Sequence, residues 1–487
     1  MRSHLSWSAV VIALVLAGCN APTEQGQEDT KIPITTRSEE ARALYIEARD
    51  LGERLRAADA REVYRKATAL DDGFALAWYG LALSAQSPKE FWEALDRAKT
   101  LAGEVSEGER LMILALDAGA RSDPATQIRS LEQLTAAFPG DERAWNLLGA
   151  NHFGRQEYDD AIAAYEKALA LAPEFSVPYN QLGYARRFMG DYDGAEEAFK
   201  RYVALIPDDP NPYDSYAELL MKTGRFEESI AQYEKALEHD PHFVASYVGI
   251  GLNQMYMGEM EKARETLGRL LERARTPAEK RAALLRTAES WVFEEETDKA
   301  VAAVKEMSAV SEAQGDRAAM AGDLNLMGNI LLEAGRVDEA LAHFEKAVAV
   351  SDASDTPDAA REAFRRNALY NTVRVALARG DLETAKAQAE EYAARVAEHS
   401  VPFERRLSHH LQGLLALAVE DPDAAVAALQ EANPLDPRVQ LALARACAAK
   451  GDVEAAEQAG RKAAEDNGLS FNYAYVRDEA RRMLEKV

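Results

Sequence analysis

The residues able to do chemistry in this 487-residue chain are few, and their spacing argues against a reaction centre. Two of its eight histidines bracket a proline turn in His239–Asp240–Pro241–His242, so their rings need not converge. His409 and His410 are adjacent, and neighbours on a helix project about 100° apart, so both cannot face one site. Neither pair has the i, i+4 spacing with an intervening Glu that a helical zinc site needs. Glu294–Glu295–Glu296 reads as a solvated turn. Pro207–Asp208–Asp209–Pro210 lacks the glycine and the distant Glu of a calcium loop, and reads as a helix end followed by an N-cap. There is no glycine-rich phosphate loop and no Gly-x-Ser-x-Gly elbow. Of the two cysteines, Cys447 lies in a helical stretch and is expected to be a buried, inert thiol. The pattern predicts no catalytic residue, no metal and no cofactor.

Charge narrows the partners. The formal net charge is −25, which argues against nucleic acid, whose phosphates need a basic surface. Hydrophobic residues make up 47% of the chain, enough for a long core, and abundant alanine with modest Pro and Gly favours helix.

The other cysteine belongs to a leader. Arg2 precedes an apolar run from Trp7 to Ala17, too short for a stable bilayer span, which is the layout of a signal peptide. The run ends in Leu16–Ala17–Gly18–Cys19, which resembles a bacterial lipobox. That resemblance implies a signal peptide over residues 1–18, cleavage before Cys19, and lipid attachment at Cys19. Asn20 in the next position implies sorting to the outer membrane. Residues 19–38 are polar, carry Pro22 and Pro33, and read as a disordered tether whose 20 or so residues reach about 60–70 Å when extended.

These few groups must be held by an array of repeated elements. Pro173, Pro207 and Pro241 fall 34 residues apart. The same interval separates Trp145, Tyr179, Tyr213 and Tyr247, and also Gly190, Gly224 and Gly258. A fixed period of this length is the mark of a repeat architecture. Within one unit, Trp145, Leu148, Gly149 and His152 share one helical face, and Tyr158, Ala161, Ile162, Tyr165 and Ala168 share another. Small residues at Gly149 and Ala161 let the two helices approach, and Pro173 ends the unit. After Arg275 the period drifts, with Gly328/Ala340/Phe344, Ala385/Tyr392, Gly413/Ala425/Leu429 and Ala444/Ala456 marking longer helix pairs. Tyr475 to Leu484 reads as a last helix covering the open end.

Trp145, Leu148, Gly149, Ala161, Tyr165, Ala168 and Pro173 resemble the tetratricopeptide repeat pattern, and three further copies follow in tandem. Ser229 and Ala217 stand where that pattern has Ala and Gly. The resemblance implies an all-α fold, a right-handed solenoid of about 12 antiparallel helix pairs. Residues 39–275 form its regular part and residues 276–487 its irregular, longer-helix part with a C-terminal capping helix. It also implies that the residue after each Trp145-equivalent faces a concave groove: Asn146, Asn180, Asp214 and, further on, Asn325. Tyr184, Arg187, Glu218, Met221, Lys222 and Tyr256 are placed on the same surface. Asn offers a donor and an acceptor, so a row of them suits a peptide backbone. The basic residues of a carboxylate clamp do not fall at their expected positions.

The expected function is therefore a non-enzymatic scaffold of the bacterial cell envelope, lipid-anchored and facing the periplasm, that binds proteins or extended peptides in its groove. Two alternatives are a receptor for a small ligand, peptide or glycan, and an envelope enzyme with its site in residues 276–487.

Overall fold

The computed structural model describes residues 30–54, 56–85, 88–121, 123–397 and 402–486, and the leader with Cys19 lies outside them. Among the described residues there are 25 helices and no strand, which makes the protein an all-α solenoid of helix pairs. Two compact units divide at Asp191/Tyr192.

Unit 1 holds α1 (Glu39–Glu53), α2 (Ala57–Leu70), α3 (Ala75–Leu83), α4 (Pro88–Leu101), α5 (Glu107–Ala120), α6 (Pro124–Ala137), α7 (Glu142–Gly154), α8 (Tyr158–Leu171) and α9 (Ser176–Met189). Unit 2 begins with α10 (Tyr192–Leu205), α11 (Pro210–Lys222), α12 (Phe226–His239), α13 (Val244–Tyr256) and α14 (Met260–Arg273). It continues with α15 (Pro277–Phe293), α16 (Thr297–Ala313), α17 (Arg317–Glu333), α18 (Val337–Asp352), α19 (Asp358–Ala378) and α20 (Leu382–Ala397). It closes with α21 (Pro402–Ala418), α22 (Pro422–Gln430), α23 (Pro437–Lys450), α24 (Val453–Glu465) and α25 (Asn472–Leu484). The drift in period has a simple cause. Helix α14 has 14 residues, whereas α15, α16 and α17 have 17 each and α19 has 21.

Local sequence sets the helix ends. Ser106 and Glu109 form a complete capping box at α5, and Thr276 accepts from the Glu279 amide at α15. Ser87, which precedes Pro88 and Glu90 in the spacing of a capping box, lies outside the described residues. Gly190 ends α9 with φ 80°, a left-handed conformation that favours glycine.

Two of the periodic landmarks are bonded to each other. Tyr213 Oη donates to the Pro207 carbonyl at 2.9 Å, and Tyr247 repeats the contact with Pro241 at 3.2 Å. In unit 1, Tyr179 donates to Pro173 and Trp145 Nε1 donates to Pro139 at 3.0 Å. Close packing fixes the glycine: a Cβ on Gly149 would sit 2.6 Å from Tyr165 Cε1, and Tyr165 is fully buried. Ser229, which replaces Ala at the equivalent crossing, is buried and satisfied by donating to the Ala217 carbonyl at 2.7 Å.

Two expectations about the chain ends change. The tether expected to run loose to Ser38 is ordered in residues 31–37, as an extended strap on unit 1. The Ile32 amide donates to Asp141 at 2.9 Å, the Thr35 amide to Glu109 at 2.8 Å and the Arg37 amide to Asp71 at 2.9 Å. Ile32 and Ile34 turn their side chains onto the core. Three carboxylates, Asp71, Glu109 and Asp141, thus satisfy three of the strap's backbone amides, which polar composition alone does not reveal. The last helix, α25, does more than cover an end. It packs on α23 and α24 and also reaches back to α15, placing Phe471 and Tyr475 against the core formed by α15 to α19.

Candidate functional site

A cavity of about 350 Å³ lies in unit 1 between α1, α2, α3, α5 and α7, with Tyr64 of α2 in its wall. Its wall takes Tyr45 and Arg49 from α1, Tyr79 and Leu83 from α3, Met112 from α5, and Asn146 and Leu147 from α7. A second cavity of about 440 Å³ shares Tyr79, Leu83, Met112 and Leu147 and adds Leu116 and Asn151. One side of the first cavity is closed by an ion pair across 90 residues of chain, in which Arg143 donates to both oxygens of Glu53 at 2.8 and 3.2 Å. The Arg143 guanidinium also lies 5.0 Å from the centroid of the Phe175 ring. Aromatic and thioether walls give apolar area, while Arg49 Nε and Asn146 Oδ1 are buried with no hydrogen-bond partner. Arg49 Nε still has the Glu53 carboxylate 3.8 Å away, whereas the Asn146 acceptor is unmet, at a cost of about 1–3 kcal/mol, and suits a peptide N–H.

Asn146 lines this cavity. The rest of the expected row divides. Asn180 is only 7% exposed, with its Oδ1 buried and without a hydrogen-bond partner, so it is not on an open surface. Tyr184 and Arg187 stack on one another, with the guanidinium 5.2 Å from the ring centroid. In unit 2, Asp214 is buried between repeats and accepts from Ser246 Oγ at 3.0 Å, so it is not groove surface either. Burial, with the neighbouring Glu218 charge adding to it, pushes the Asp214 carboxyl up to about 8. Asn325 accepts from Asn371 Nδ2 at 2.8 Å, and its neighbour one turn on, Asn329, accepts from Arg374 at 2.6 Å. These two are used to join α17 to α19.

Met221, Lys222 and Tyr256 are each in contact with the C-terminal segment. Lys222 pairs with Asp466 at 2.7 Å. Tyr256 is bonded to the backbone of Gly468, and the Arg477 guanidinium sits 4.2 Å from the centre of its ring. Met221 packs with Tyr473.

The residues weighed for chemistry have structural roles. His410 is buried and its Nδ1 lies 2.9 Å from Tyr370 Oη, while His409 is only part-buried. Burial holds His410 down to about 4, with the nearby Asp436 charge opposing the shift. Cys447 is buried, and burial raises its thiol. Among the described residues, His152, Glu157 and Asp160 bring three potential ligand atoms together. The cluster is explained by a 2.7 Å hydrogen bond between His152 Nδ1 and Glu157 at the α7–α8 turn. No helix among the described residues is long and apolar enough to cross a membrane.

The sequence pattern missed most of the unit 1 cavity. Tyr45 and Tyr79 stand one 34-residue period apart and Leu147 two periods further on, but the landmarks Trp145, Gly149 and Pro173 mark the packed faces and not this wall.

Helix pairs stacked in this way define an α-solenoid, a class of fold that presents the face of one helix from each pair. Models of the tetratricopeptide repeat match residues 142–175, 180–242, 220–288, 324–353 and 410–469. The chain carries tetratricopeptide repeats, the architecture of a protein–protein interaction scaffold. No curated protein matches it in sequence. Similar solved structures include MamA from Desulfovibrio magneticus, at 18% identity over 34% of this chain and 94% of that one, with a TM-score of 0.31. A tetratricopeptide repeat protein from Parabacteroides merdae is 15% identical over 54% of this chain and 99% of that one, with a TM-score of 0.39. PilF of Pseudomonas aeruginosa is 16% identical over 53% and 93%, with a TM-score of 0.30.

Proposed function

We propose that the protein is a non-enzymatic scaffold of the bacterial cell envelope, anchored by lipid on Cys19, that binds partner proteins through the groove of unit 1. The observation that carries the binding site is the cavity between Tyr45, Tyr79, Met112 and Leu147, whose lining residue Asn146 has a buried Oδ1 with no hydrogen-bond partner. An extended segment with a bulky apolar side chain suits this site. Its side chain fills the aromatic wall, and its peptide N–H donates to Asn146. The groove is preorganised by the Glu53–Arg143 pair, which reduces the ordering cost of binding.

The anchor supports the same reading. With the strap docked at Lys31, only about 12 residues separate Cys19 from unit 1, a reach of about 40 Å. The repeats are then held close to the lipid surface, with the outer membrane facing the periplasm as the location the leader implies. The test is binding to envelope proteins by the full chain and by Leu147→Glu, which puts a charge into the cavity wall. Loss of the bound partner in the variant, with helicity unchanged, is the expected result, and equal binding by both chains overturns the site.

A second reading rests on the cavity's size. At about 350 Å³ it is within the range of small-molecule sites, so a receptor for a small apolar ligand is the alternative. Thermal shift against envelope metabolites separates the two, because only a receptor gains stability from a small ligand.

A further inference from the structure

Unit 2 already shows what its concave residues bind. Between α24 and α25, residues 466–470 have no regular structure. They lie against three successive odd-numbered helices, α11, α13 and α15. Lys222 on α11 holds the Asp466 carboxylate at 2.7 Å. Tyr256 on α13 donates its hydroxyl to the Gly468 carbonyl and accepts from the Gly468 amide at 3.3 Å. Arg286 on α15 donates to the Leu469 carbonyl at 3.0 Å. Lys222 and Tyr256 stand one 34-residue period apart, so the contacts follow the spacing of the repeats. Downstream, Tyr473 is 6% exposed and packs with Met221, Leu252, Met255 and Leu267.

The contacts of this stretch have the form of peptide recognition. Most go to its main chain, and its one large apolar side chain, Leu469, is 39% exposed. The anchor is an aromatic ring entering a pocket of Met and Leu. At Gly468 a Cβ would sit 3.1 Å from the Tyr473 ring, and the Tyr256 hydroxyl that binds this residue is 212 residues away in the chain.

We propose that residues 466–473 are an intramolecular ligand, which fills the peptide groove of unit 2 and keeps it closed to partners. The groove recognises an irregular segment with an acidic residue, a glycine two positions on held by its main chain, and a tyrosine seven positions after the acid in the first turn of a helix. A tethered segment has an effective concentration of order mM, so a free peptide at micromolar levels competes only when the resident one is loosened. This site is separate from the unit 1 groove, and neither reading depends on the other.

The probe is a fluorescein-labelled peptide copying residues 464–476, titrated into the full chain. Wild type is expected to bind it weakly. The Asp466→Lys, Gly468→Pro chain loses the Lys222 pair and the Gly468 amide while keeping the groove, and is expected to bind at least ten-fold more tightly. Adding Tyr256→Ala should remove that gain. A loosened, folded chain that binds no better than wild type overturns the proposal, as does a gain that survives Tyr256→Ala. Should the loosened chain fail to fold, hydrogen exchange on wild type decides. The amides of residues 467–470 should exchange at least ten-fold faster than those of Leu284–Ala288. Equal protection means that the segment leaves only on global unfolding, and overturns the proposal.

Discussion

Tyr213 donates its hydroxyl to the carbonyl of Pro207 at 2.9 Å, six residues earlier in the chain. The proline ends one helix and the aromatic ring stands in the next, so the bond sets how the chain turns from one repeat into the following one. Trp145 makes the same bond with its indole N–H, which explains why the position takes Trp or Tyr in these repeats, both of which carry a donor. Tyr213→Phe should therefore destabilise unit 2 by about 0.5–1.5 kcal/mol, the usual worth of one such bond. Trp145 is only part-buried, so Trp145→Ala should cost about 2 kcal/mol, less than a fully buried aromatic loses. Urea unfolding followed by circular dichroism measures both, and a Tyr213→Phe chain as stable as wild type contradicts the account of the turn.

The crossing within a repeat is equally specific. Gly149→Ala brings a Cβ to 2.6 Å from the ring of fully buried Tyr165. The ring has no free space to yield into, and the expected cost is about 1–3 kcal/mol despite alanine's better helix propensity. Measured stabilisation would mean that the helices separate easily here.

Two buried groups give unit 2 opposing responses to pH. His410 titrates lower in the folded chain than in the unfolded one, so its contribution is present above about pH 6.5 and is lost as pH falls towards 4. Asp214 titrates higher when folded, near 8, so its contribution is full below about pH 4 and is lost as pH rises towards 8. Asp214→Asn should raise stability at pH 8 by on the order of 2 kcal/mol and flatten the decline from pH 4 to 8. His410→Gln should reduce the loss between pH 6.5 and 4. Thermal melts across this range read both slopes separately.

The strap and the anchor make linked predictions. Glu109→Ala removes the Thr35 contacts and the capping box at α5 together, and should cost about 2 kcal/mol while exposing residues 31–37 to proteolysis. Cys19→Ser should move the protein from the membrane fraction to the soluble fraction and remove the acyl mass from its N-terminus. A Cys19→Ser chain that stays with the membrane contradicts the anchoring.

Much of this fold was legible in the chain because the repeat leaves residue-type marks. Gly149, Ala161, Tyr165 and Pro173 each have a side chain, or lack one, for a steric reason that returns every 34 residues. The two docked segments left no such mark. Ile32, Thr35 and Arg37 are held through their amides, and Gly468 and Leu469 through their carbonyls. Every residue carries these groups, so composition near Ser38 suggested a loose tether. The groove row failed at Asp214 and Asn180 for a related reason. Helix position places a residue near the concave side, but whether it opens to the groove or packs on the next repeat depends on neighbours a full repeat away.

The central claim is that the unit 1 groove is the partner-binding face. A photoreactive residue at Asn146 in living cells tests it most directly, with exposed Glu132 on α6 as the control. The account predicts a discrete crosslinked partner from Asn146, absent from Glu132 and lost when Leu147→Glu is added. Crosslinks of equal yield from Glu132, or a partner that persists with Leu147→Glu, would contradict it.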